Sequence, residues 1–465
     1  MTQVNSKTLP LSGRHCAVAG EGVALDYARS LLGTLGASVN ALPGPAAEHP
    51  ALAFARSGLM ALTGAADGEP VLCPLPLAAC ADGVIAALNT IAARPLSLRG
   101  AALLTERAAA AGLRRAGAIA PGGSCRLLHA ADGWLALNLA RADDWSLLPA
   151  WLETGAPTNW DELAALLPET PVNTLVERGR LLGLAVSAMR TPTAPVPWYT
   201  LQHRASDTGT EARTKTPLVV DLSALWAGPL CGHLLQQLGA RVVKVESARR
   251  PDGARQGPRD FYDLLNADKA SVALDFQSAQ GREQLRQLLS RADIVIEASR
   301  PRALRQLGIN AQTLIDENPT LTWISITGYG REEPQAGWIA FGDDAGVAAG
   351  LSNTLYTLTG QALFCGDAIA DPLTGLHAAL LAWSSFISCG GNLLALALRD
   401  VVAHCAQFDA PASPQVLRER QRHWLELLRA RAVTAAPPGL RRPARPARAL
   451  GADTQAVLRE LGISC

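Results

Sequence analysis

The sequence has little that would mark the chain for nucleic acid or for a membrane. Of its 465 residues, 42 are Lys or Arg and 41 are Asp or Glu, which leaves a net charge of +1. This balance gives no general attraction to nucleic acid or to an anionic bilayer. The most apolar region, residues 375–398, is interrupted by His377, by serines and by Gly390-Gly391, so it is too broken for a membrane span. We therefore expect neither partner.

Paired cysteines of the kind that bind metal or carry redox chemistry are also missing. The nine cysteines are scattered and none forms a CxxC pair, which argues against a disulfide framework, a zinc site or a redox site. Residues 1–7 lack the charged and then apolar layout of a signal peptide. A dinucleotide motif is absent, since Gly20-Glu21-Gly22 has no third glycine. These absences predict a cytoplasmic protein with reduced thiols, no metal and no tightly bound cofactor.

The second half of the chain does contain a regular alternation of strand and helix patterns. Residues 218–222 and 241–246 are apolar and rich in β-branched side chains, and residues 230–238 between them are amphipathic. Strand, helix and strand patterns follow at 271–276, 280–291 and 294–297. Two strands joined through a helix are typical of a βαβ unit with parallel strands, so this half is predicted to be α/β.

An internal repeat relates the first hundred residues to this α/β half. Three segments recur downstream: 31–39 at 234–242, 57–64 near 350–360, and 79–88 at 371–380. The third echo aligns Gly83 with Gly375 and therefore puts Ala79 where Asp371 stands. The first copy has no counterpart of residues 246–327. We interpret residues 1–100 as a truncated, inactive copy of the complete unit at 217–400.

The remaining segments predict a small domain, a linker and a tail. Residues 125–144 have the pattern of a β-hairpin with Asp132-Gly133 at its turn, and helix patterns follow at 145–153 and 160–167. We assign residues 101–194 to a small α+β domain, 195–216 to an exposed linker, and 401–465 to a C-terminal helical segment with a closing tail. The Arg-rich stretch 441–448 is short and broken by prolines, which favours a solvated connector over a nucleic-acid arm.

Asp371 is the most informative polar residue. With Pro372 it precedes a long apolar helix pattern, so one interpretation is a structural N-cap. It also ends a series that begins at Gly328-Tyr329-Gly330 and continues through Gly350-Leu351 and Cys365-Gly366-Asp367. This series resembles the family III CoA-transferases (the CaiB/BaiF family), whose nucleophilic Asp stands at this place. The resemblance implies a Rossmann-like parallel-sheet large domain and a small α+β domain, with residues 1–100 as a degenerate second large-domain copy.

The resemblance also implies the chemistry. In that family the carboxylate attacks an acyl-CoA thioester to give a mixed anhydride, and the released CoA thiolate then forms an aspartyl-CoA thioester. A carboxylic acid acceptor repeats the exchange in reverse. For this chain the expected substrates are therefore an acyl-CoA and a carboxylic acid, with CoA as substrate rather than resident cofactor. Asp371 is the expected nucleophile, because the spacing of Asp367 to Thr374-Gly375 does not fit the family pattern.

The CoA contacts are predicted from the same resemblance. The first βα loop of the α/β half would line the CoA cleft, and basic side chains near it would hold the phosphates by charge-assisted contacts. The residues concerned are Trp226, Ala227, Gly228, Pro229, Arg249, Arg250, Lys269, Arg300 and Tyr329. Ala298 and Ser299 depart from the family pattern beside Arg300. Any single Arg here is also compatible with a solvated surface charge.

Three further questions stay open at the level of sequence. The family includes α-methylacyl-CoA racemases, but Phe341 stands where their His would be, which disfavours proton-transfer chemistry of that kind. Another CoA-thioester reaction, such as isomerisation or a lyase reaction, and a catalytically silent CoA-binding or partner protein are the alternatives to a transferase. Family members form interlocked homodimers, so the duplicated chain is expected either to form a homodimer or to imitate that dimer as a monomer.

Overall fold

The computed structural model describes residues 9–153, 155–191, 194–206, 216–443 and 445–464, which form an α/β protein with three β-sheets. The described strands are β1 (His15–Glu21), β2 (Ser38–Ala46), β3 (Cys125–Ala130), β4 (Gly133–Asn138), β5 (Ala185–Ala188), β6 (Thr200–Arg204), β7 (Leu218–Asp221), β8 (Arg241–Ser247), β9 (Ala270–Leu274), β10 (Ile294–Glu297), β11 (Thr322–Thr327) and β12 (Asn392–Ala397).

Helices connect and cover these strands. They are α1 (Val23–Thr34), α2 (Pro50–Arg56), α3 (Leu77–Ile91), α4 (Gly100–Leu103), α5 (Glu106–Ala111), α6 (Leu148–Leu152), α7 (Trp160–Ala165), α8 (Val172–Leu181), α9 (Ala227–Gln237), α10 (Arg259–Asn266), α11 (Ala279–Arg291), α12 (Pro301–Gln306), α13 (Ala311–Glu317), α14 (Gly342–Ala348), α15 (Leu351–Thr359), α16 (Ala370–Phe386), α17 (Leu398–Gln407), α18 (Pro414–Ala430) and α19 (Thr454–Glu460). Within the described ranges, none of them combines the length and apolar character needed to cross a bilayer.

The largest sheet has seven strands in the order β6-β12-β11-β10-β7-β8-β9. All neighbouring pairs are parallel except β6 with β12. Every residue of β10 and β12 is buried, as expected for parallel strands covered by helices on both faces. The α/β fold with a parallel sheet is thereby confirmed. The strand order reverses between β7 and β10, and such a switch point opens a crevice at the carboxyl ends of the strands.

The edge strand β6 corrects the prediction of an exposed linker at 195–216. Residues 200–204 pair antiparallel with β12, and Trp198 just before them is almost completely buried. The Trp198 indole N–H donates to Thr34 Oγ1 over 3.0 Å, which ties this segment to the first copy. The strand is polar, as edge strands often are, and so gave no apolar signal. Residues 207–215 of the predicted linker lie outside the described residues.

The predicted small domain contains an α+β unit. Strands β3, β4 and β5 form an antiparallel sheet, and the β3–β4 hairpin turns at Ala131-Asp132, one residue before the predicted Asp132-Gly133 centre. The buried Trp151 of α6 donates its indole N–H to the Leu175 carbonyl of α8 over 2.7 Å. This unit has its own hydrophobic cluster, separate from the core of the large sheet.

The first hundred residues repeat the packing of the α/β half. Strands β1 and β2 are parallel and are connected through α1, as β7 and β8 are connected through α9. A methyl group added at Gly83 of α3 would overlap the Ala24 carbonyl oxygen of α1, and one at Gly375 of α16 would overlap the Ala227 carbonyl oxygen of α9. The helix pairs α1–α3 and α9–α16 therefore cross at matching glycines. The contacts at these two glycines are alike, and the internal duplication stays a prediction.

The C-terminal tail returns to the large sheet. Asp453 accepts a hydrogen bond from the Ser271 backbone N–H of β9 over 2.9 Å, and α19 follows directly. In the Arg-rich stretch, Arg445 and Arg448 are more than half exposed, as a solvated connector requires. Arg441 differs, because its guanidinium makes a two-point ion pair with Glu106, whose side chain is 1% exposed. The connector prediction is therefore wrong at Arg441.

Candidate active site

Asp371 lies in the first turn of α16, but it does not cap that helix. The helix begins at Ala370, its N-cap is Ile369, and no side chain satisfies the N-terminal N–H groups. The simple N-cap interpretation of Asp371 is thus wrong. The carboxylate instead lies against Gly342 at the start of α14, whose backbone N–H donates to it. A side chain at position 342 would collide with this carboxylate, so glycine is required there for the approach.

Three carboxyl groups and one guanidinium meet at this point. Asp343 of α14 accepts the Ala368 backbone N–H over 2.7 Å. Asp367, just before α16, is paired at two points with Arg107 of α5, with one N–H···O distance of 2.8 Å. Asp371 completes the group. The structure therefore brings the predicted nucleophile together with two further carboxyl groups and one guanidinium cation from distant parts of the chain.

The low-polarity surroundings change the acidity of these groups. Burial raises the pKa of Asp371 to about 7, an effect opposed by Arg107 and reinforced by the charges of Asp343 and Asp367. Burial also raises the pKa of Asp343 to about 6, with repulsion from Asp367 adding to it. The carboxyl groups of Asp371 and Asp343 therefore titrate near neutral pH, whereas an isolated surface Asp is fully ionised there.

The three acids differ in access and in partners. Asp367 is fully buried and committed to Arg107, and Asp343 is 7% exposed. Asp371 keeps an intermediate exposure, and no described cation forms an ion pair with it. Of the three residues, Asp371 is the most exposed.

The small unit closes over α14 from the other side. Asn138 of β4 donates to Asp344 Oδ1 over 3.2 Å, and Ser187 of β5 donates to the Asp344 backbone carbonyl over 2.9 Å. Arg180 of α8 stacks over Trp338, with its guanidinium carbon 3.8 Å from the ring centroid. Asp344 itself is buried, which raises its pKa to about 7. The candidate site is consequently built from two units of a single chain.

The predicted CoA loop lies at the switch point of the sheet, next to this cluster. Trp226 is the N-cap of α9 and is 2% exposed, and Ala227, Gly228 and Pro229 form the buried first turn. The Trp226 ring packs edge-on against Phe261 and lies 6.0 Å from the guanidinium carbon of Arg107. Arg107 thereby connects the loop to the acidic cluster.

Lys269 occupies a different place from the one expected. Its ammonium group is 2% exposed and donates to Asp221 over 2.9 Å, to the Pro229 carbonyl over 2.9 Å and to Asn266 over 3.2 Å. Since an ammonium has three N–H groups, all of its donors are occupied. Lys269 supports the CoA loop from beneath, which corrects the expectation of a direct phosphate contact.

The predicted arginines are found at the carboxyl ends of β8 and β10. Arg249 is exposed and pairs with Asp275 over 2.9 Å. Arg300 is exposed, and its pKa is lowered by partial desolvation and then by the positive charges of Arg302, Arg141 and Arg250. Among the described residues no acid forms an ion pair with Arg250 or Arg300. The guanidinium groups of Arg250 and Arg300 form a basic patch next to the crevice. Arg141 of the small unit lies near this patch.

Tyr329 lies between the two units and is buried. Its ring is 5.0 Å from the Arg180 guanidinium carbon and packs edge-on against Trp338. Burial raises the pKa of the phenol. The position is compatible with a wall of the crevice, and the CoA contact of Tyr329 stays a prediction.

Several site residues were missed in the sequence. Asp343 and Asp344 stand in the short stretch 340–345, where two adjacent acids at a helix start could have been noticed. Arg107 and Asn138 give no local signal, because both depend on contacts across the fold. An open cavity of about 560 Å³ lies at the first copy, between Val23, His49 and Trp424, and not at Asp371.

Part of the chain is similar to known CoA-transferases. Residues 217–389 match CoA-transferase family III. The chain is 30% identical over 180 residues to an acyl-CoA transferase of Fusarium pseudograminearum, covering 35% of the chain and 40% of that protein. It is 31% identical over 173 residues to the formyl-CoA:oxalate CoA-transferase of Escherichia coli, covering 35% of the chain and 42% of that enzyme. The chain thus matches about two-fifths of the length of these relatives.

Solved structures give partial likenesses. A hypothetical protein from Mycobacterium tuberculosis aligns with a TM-score of 0.38 and 27% identity, covering 41% of this chain and 57% of that one. A CaiB/BaiF family protein from Brucella suis aligns with a TM-score of 0.41 and 23% identity, covering 54% of this chain and all of that one. Neither alignment spans the whole of this chain.

Proposed function

We propose that the chain, whose residues 217–389 match CoA-transferase family III, moves CoA from an acyl-CoA to a carboxylic acid with Asp371 as nucleophile. One observation carries the proposal. Of the three acids in the cluster, Asp371 is the most exposed residue, and no described cation forms an ion pair with it. A carboxylate without an ion pair, close to the switch point of the sheet, has the position that a nucleophile for a bound thioester needs.

The proposed reaction needs no external proton. Asp371 attacks the thioester carbonyl, so that a C–O bond forms, the C–S bond breaks and CoA leaves as thiolate. The thiolate attacks the Asp371 carbonyl of the anhydride, which releases the donor acid and leaves an aspartyl-CoA thioester. The acceptor carboxylate attacks that thioester and forms a second anhydride. Attack of the thiolate on the acceptor carbonyl then gives the new acyl-CoA and restores Asp371.

The surroundings of Asp371 suit these steps. The Gly342 N–H is placed to hydrogen-bond the Asp371 oxygen that carries negative charge when a thiolate attacks this carbonyl. The Trp226 loop offers buried apolar surface beside it, and the basic patch of Arg250 and Arg300 carries unpaired positive charge for phosphates. These features support an acyl-CoA as the ligand.

We further propose that residues 1–100 are a duplicated large-domain copy without activity. The matching contacts of Gly83 and Gly375 support a common origin, and Ala79 at the position of Asp371 has no nucleophile. The small unit contacts Asp344 of α14 in the same chain through Asn138 and Ser187, and Arg107 of α5 reaches Asp367. This arrangement supports a site that is complete within a monomer. A homodimer and a cytoplasmic location stay predictions.

A proton-transfer enzyme is the second candidate. A carboxyl group with a pKa near neutrality, as at Asp371, is also suited to general acid–base catalysis on the α-carbon of an acyl-CoA. The two candidate reactions differ in whether the α-proton of the acyl group exchanges with solvent. Proton transfer would introduce deuterium at the α-carbon of the acyl group in D₂O, whereas CoA transfer would leave that carbon unlabelled.

The test is a CoA-exchange assay with a panel of acyl-CoA donors and isotopically labelled carboxylic acids. We expect label in the acyl-CoA pool with the natural chain, and loss of exchange by about a thousandfold or more in Asp371→Asn, because removal of a nucleophile eliminates covalent catalysis. The control Asp67→Asn changes an exposed loop carboxylate and is expected to exchange normally. Undiminished exchange in Asp371→Asn would contradict the proposal, and CoA binding without exchange would favour a silent binding protein.

A further inference from the structure

Among the described residues, Arg107 is the one cation that pairs with the acidic cluster, and it comes from a distant part of the sequence. It lies in α5, while Asp367 stands just before α16, 260 residues later, and Asp371 lies in the first turn of that helix. Its Nε donates to Asp367 over 2.8 Å, and its Nη2 forms the second arm of the pair. The side chain is 31% exposed and Asp367 is fully buried. A two-point pair of this kind fixes the plane of the guanidinium.

Other contacts hold Arg107 in the same orientation. The preceding residue, Glu106, is 1% exposed and makes its own two-point pair with Arg441, which fixes the start of α5. The backbone passes close on another side, since a methyl group at Gly122 would come within 2.9 Å of Nη2. Trp226 lies beneath the guanidinium. The positive charge is therefore held at a defined distance from Asp371 rather than moving in solvent.

The charge balance shows why this matters. Asp343, Asp367 and Asp371 would together carry three negative charges, and Arg107 offers one positive charge in return. Asp367 takes up the hydrogen bonds of that cation, so the remaining two acids repel each other in a low-dielectric setting. Without Arg107 the negative charges of Asp343 and Asp367 would disfavour ionisation of Asp371 with no opposing cation, and a protonated carboxyl group is a poor nucleophile.

We infer that Arg107, oriented by Asp367, is a positioning residue that keeps the Asp371 carboxyl group ionised and therefore nucleophilic. The inference depends on the proposed transferase function. Arg107 acts through its field on Asp371 and takes no part in bond formation. Asp367 holds the guanidinium in place through its two-point ion pair. Its own negative charge opposes ionisation of Asp371, but it keeps the positive charge of Arg107 at a position where it acts on Asp371.

All charged groups around Asp371 enter the expected pH dependence. Arg107 faces it from α5, Asp343 from α14 and Asp367 from the preceding loop, and the Gly342 N–H faces it from the start of α14. Asp344 is further away and is held by the Phe341 N–H and Asn138. The Cys125 thiol of β3 lies near Asp343 and Asp344, and burial raises its pKa so that it stays neutral. Arg107 is the cation in this set.

The experiment measures kcat/KM for CoA exchange from pH 5.5 to about 9 in Arg107→Met and Asp367→Asn. In Arg107→Met we expect the acid limb of the profile, where kcat/KM rises with pH, to move to higher pH by one unit or more. At pH 6.5 this shift lowers kcat/KM about tenfold, and the loss recovers at high pH. In Asp367→Asn the limb should move to lower pH, since a negative charge is removed and the cation remains. Arg107→Lys should restore most of the limb position, because it keeps the charge.

A purely structural role for Arg107 predicts something different. It would lower kcat/KM by the same factor at every pH and leave the limb where it was, which would overturn the inference. Arg114→Met, an exposed arginine of the following loop, is the matched control and should leave the profile unchanged. If Arg107→Met does not fold, the opposite shift in Asp367→Asn and the result with Arg107→Lys still decide the question.

A second readout separates this inference from the proposed function. The infrared difference spectrum between the natural chain and Asp371→Asn contains the carbonyl band of protonated Asp371, so its pH dependence reports ionisation without turnover. We expect this titration to move upward in Arg107→Met even if no CoA exchange is found. A transferase whose Asp371 titrates identically in Arg107→Met would refute the inference and leave the proposed function standing.

Discussion

The cost of holding Asp371 ionised can be measured as stability. Its pKa is raised from 3.8 to about 7 by burial, so between these values the folded chain binds a proton that the unfolded chain has lost. The free energy of unfolding therefore falls as pH rises through this window, and the loss is complete above about pH 7. Asp371→Asn removes the charge and keeps an oxygen that can accept the Gly342 N–H. The variant should be the more stable protein at high pH.

The magnitude follows from the size of the shift. About three pKa units correspond to about 4 kcal/mol at 1.36 kcal/mol per unit. The side chain retains some contact with solvent, which reduces the penalty, so we expect Asp371→Asn to gain about 2 kcal/mol at pH 8. At pH 4.5, where the native carboxyl group is already protonated, the gain should fall to about 0.5 kcal/mol or less.

Urea unfolding followed by tryptophan fluorescence at pH 4.5 and pH 8 measures both values. Asp367→Asn is the opposing control, because it leaves Arg107 without its buried partner and should destabilise the chain by about 3 kcal/mol. A variant Asp371→Asn that is no more stable than the natural chain at pH 8 would refute the reasoning. It would mean that the carboxylate is solvated well enough to ionise without cost.

Three further predictions concern packing and ligand binding. Gly375→Ala should cost about 1–3 kcal/mol of stability, because the added methyl group meets the α9 backbone. The control Gly33→Ala has open space in α1 and should be neutral or stabilising, and thermal unfolding compares the two variants. Lys269→Met should cost about 3–5 kcal/mol in urea unfolding, because Asp221 would be left buried with its partner removed, and a smaller loss would contradict the supporting role. Arg300→Ala should weaken CoA binding about tenfold in calorimetry, more at low salt, without a loss of stability, and an unchanged affinity would remove Arg300 from the CoA site.

The sequence was most informative where structure depends on local pattern. The β-branched run at 294–297 became β10 at those residues, and the helix pattern at 280–291 became α11 within one residue. These elements are long or strongly patterned, so local preference and tertiary packing favour the same conformation. The role of Asp371 was predicted from the resemblance of a short local motif to a known family, and it stays a prediction.

The rest of the site depended on contacts that a single sequence does not encode. Arg107 lies in an alanine-rich helix and pairs with Asp367, which is 260 residues away along the chain. Lys269 was assigned to CoA because a basic residue near a phosphate site is an attractive ligand, but burial beneath the loop commits its donors to the protein. Strand β6 is polar and was taken for linker, although the open edge of β12 supplies its hydrogen-bond partners.

The most direct test of the proposed function is to trap the intermediate. The protein is incubated with a panel of acyl-CoAs, quenched with hydroxylamine or borohydride, digested and examined by mass spectrometry. We predict modification of Asp371 that requires an acyl-CoA and is absent in Asp371→Asn, which would establish the covalent transfer and identify the donor. An unmodified Asp371 under conditions in which the protein turns over acyl-CoA, or modification at Asp343 or Asp367 instead, would contradict the central claim.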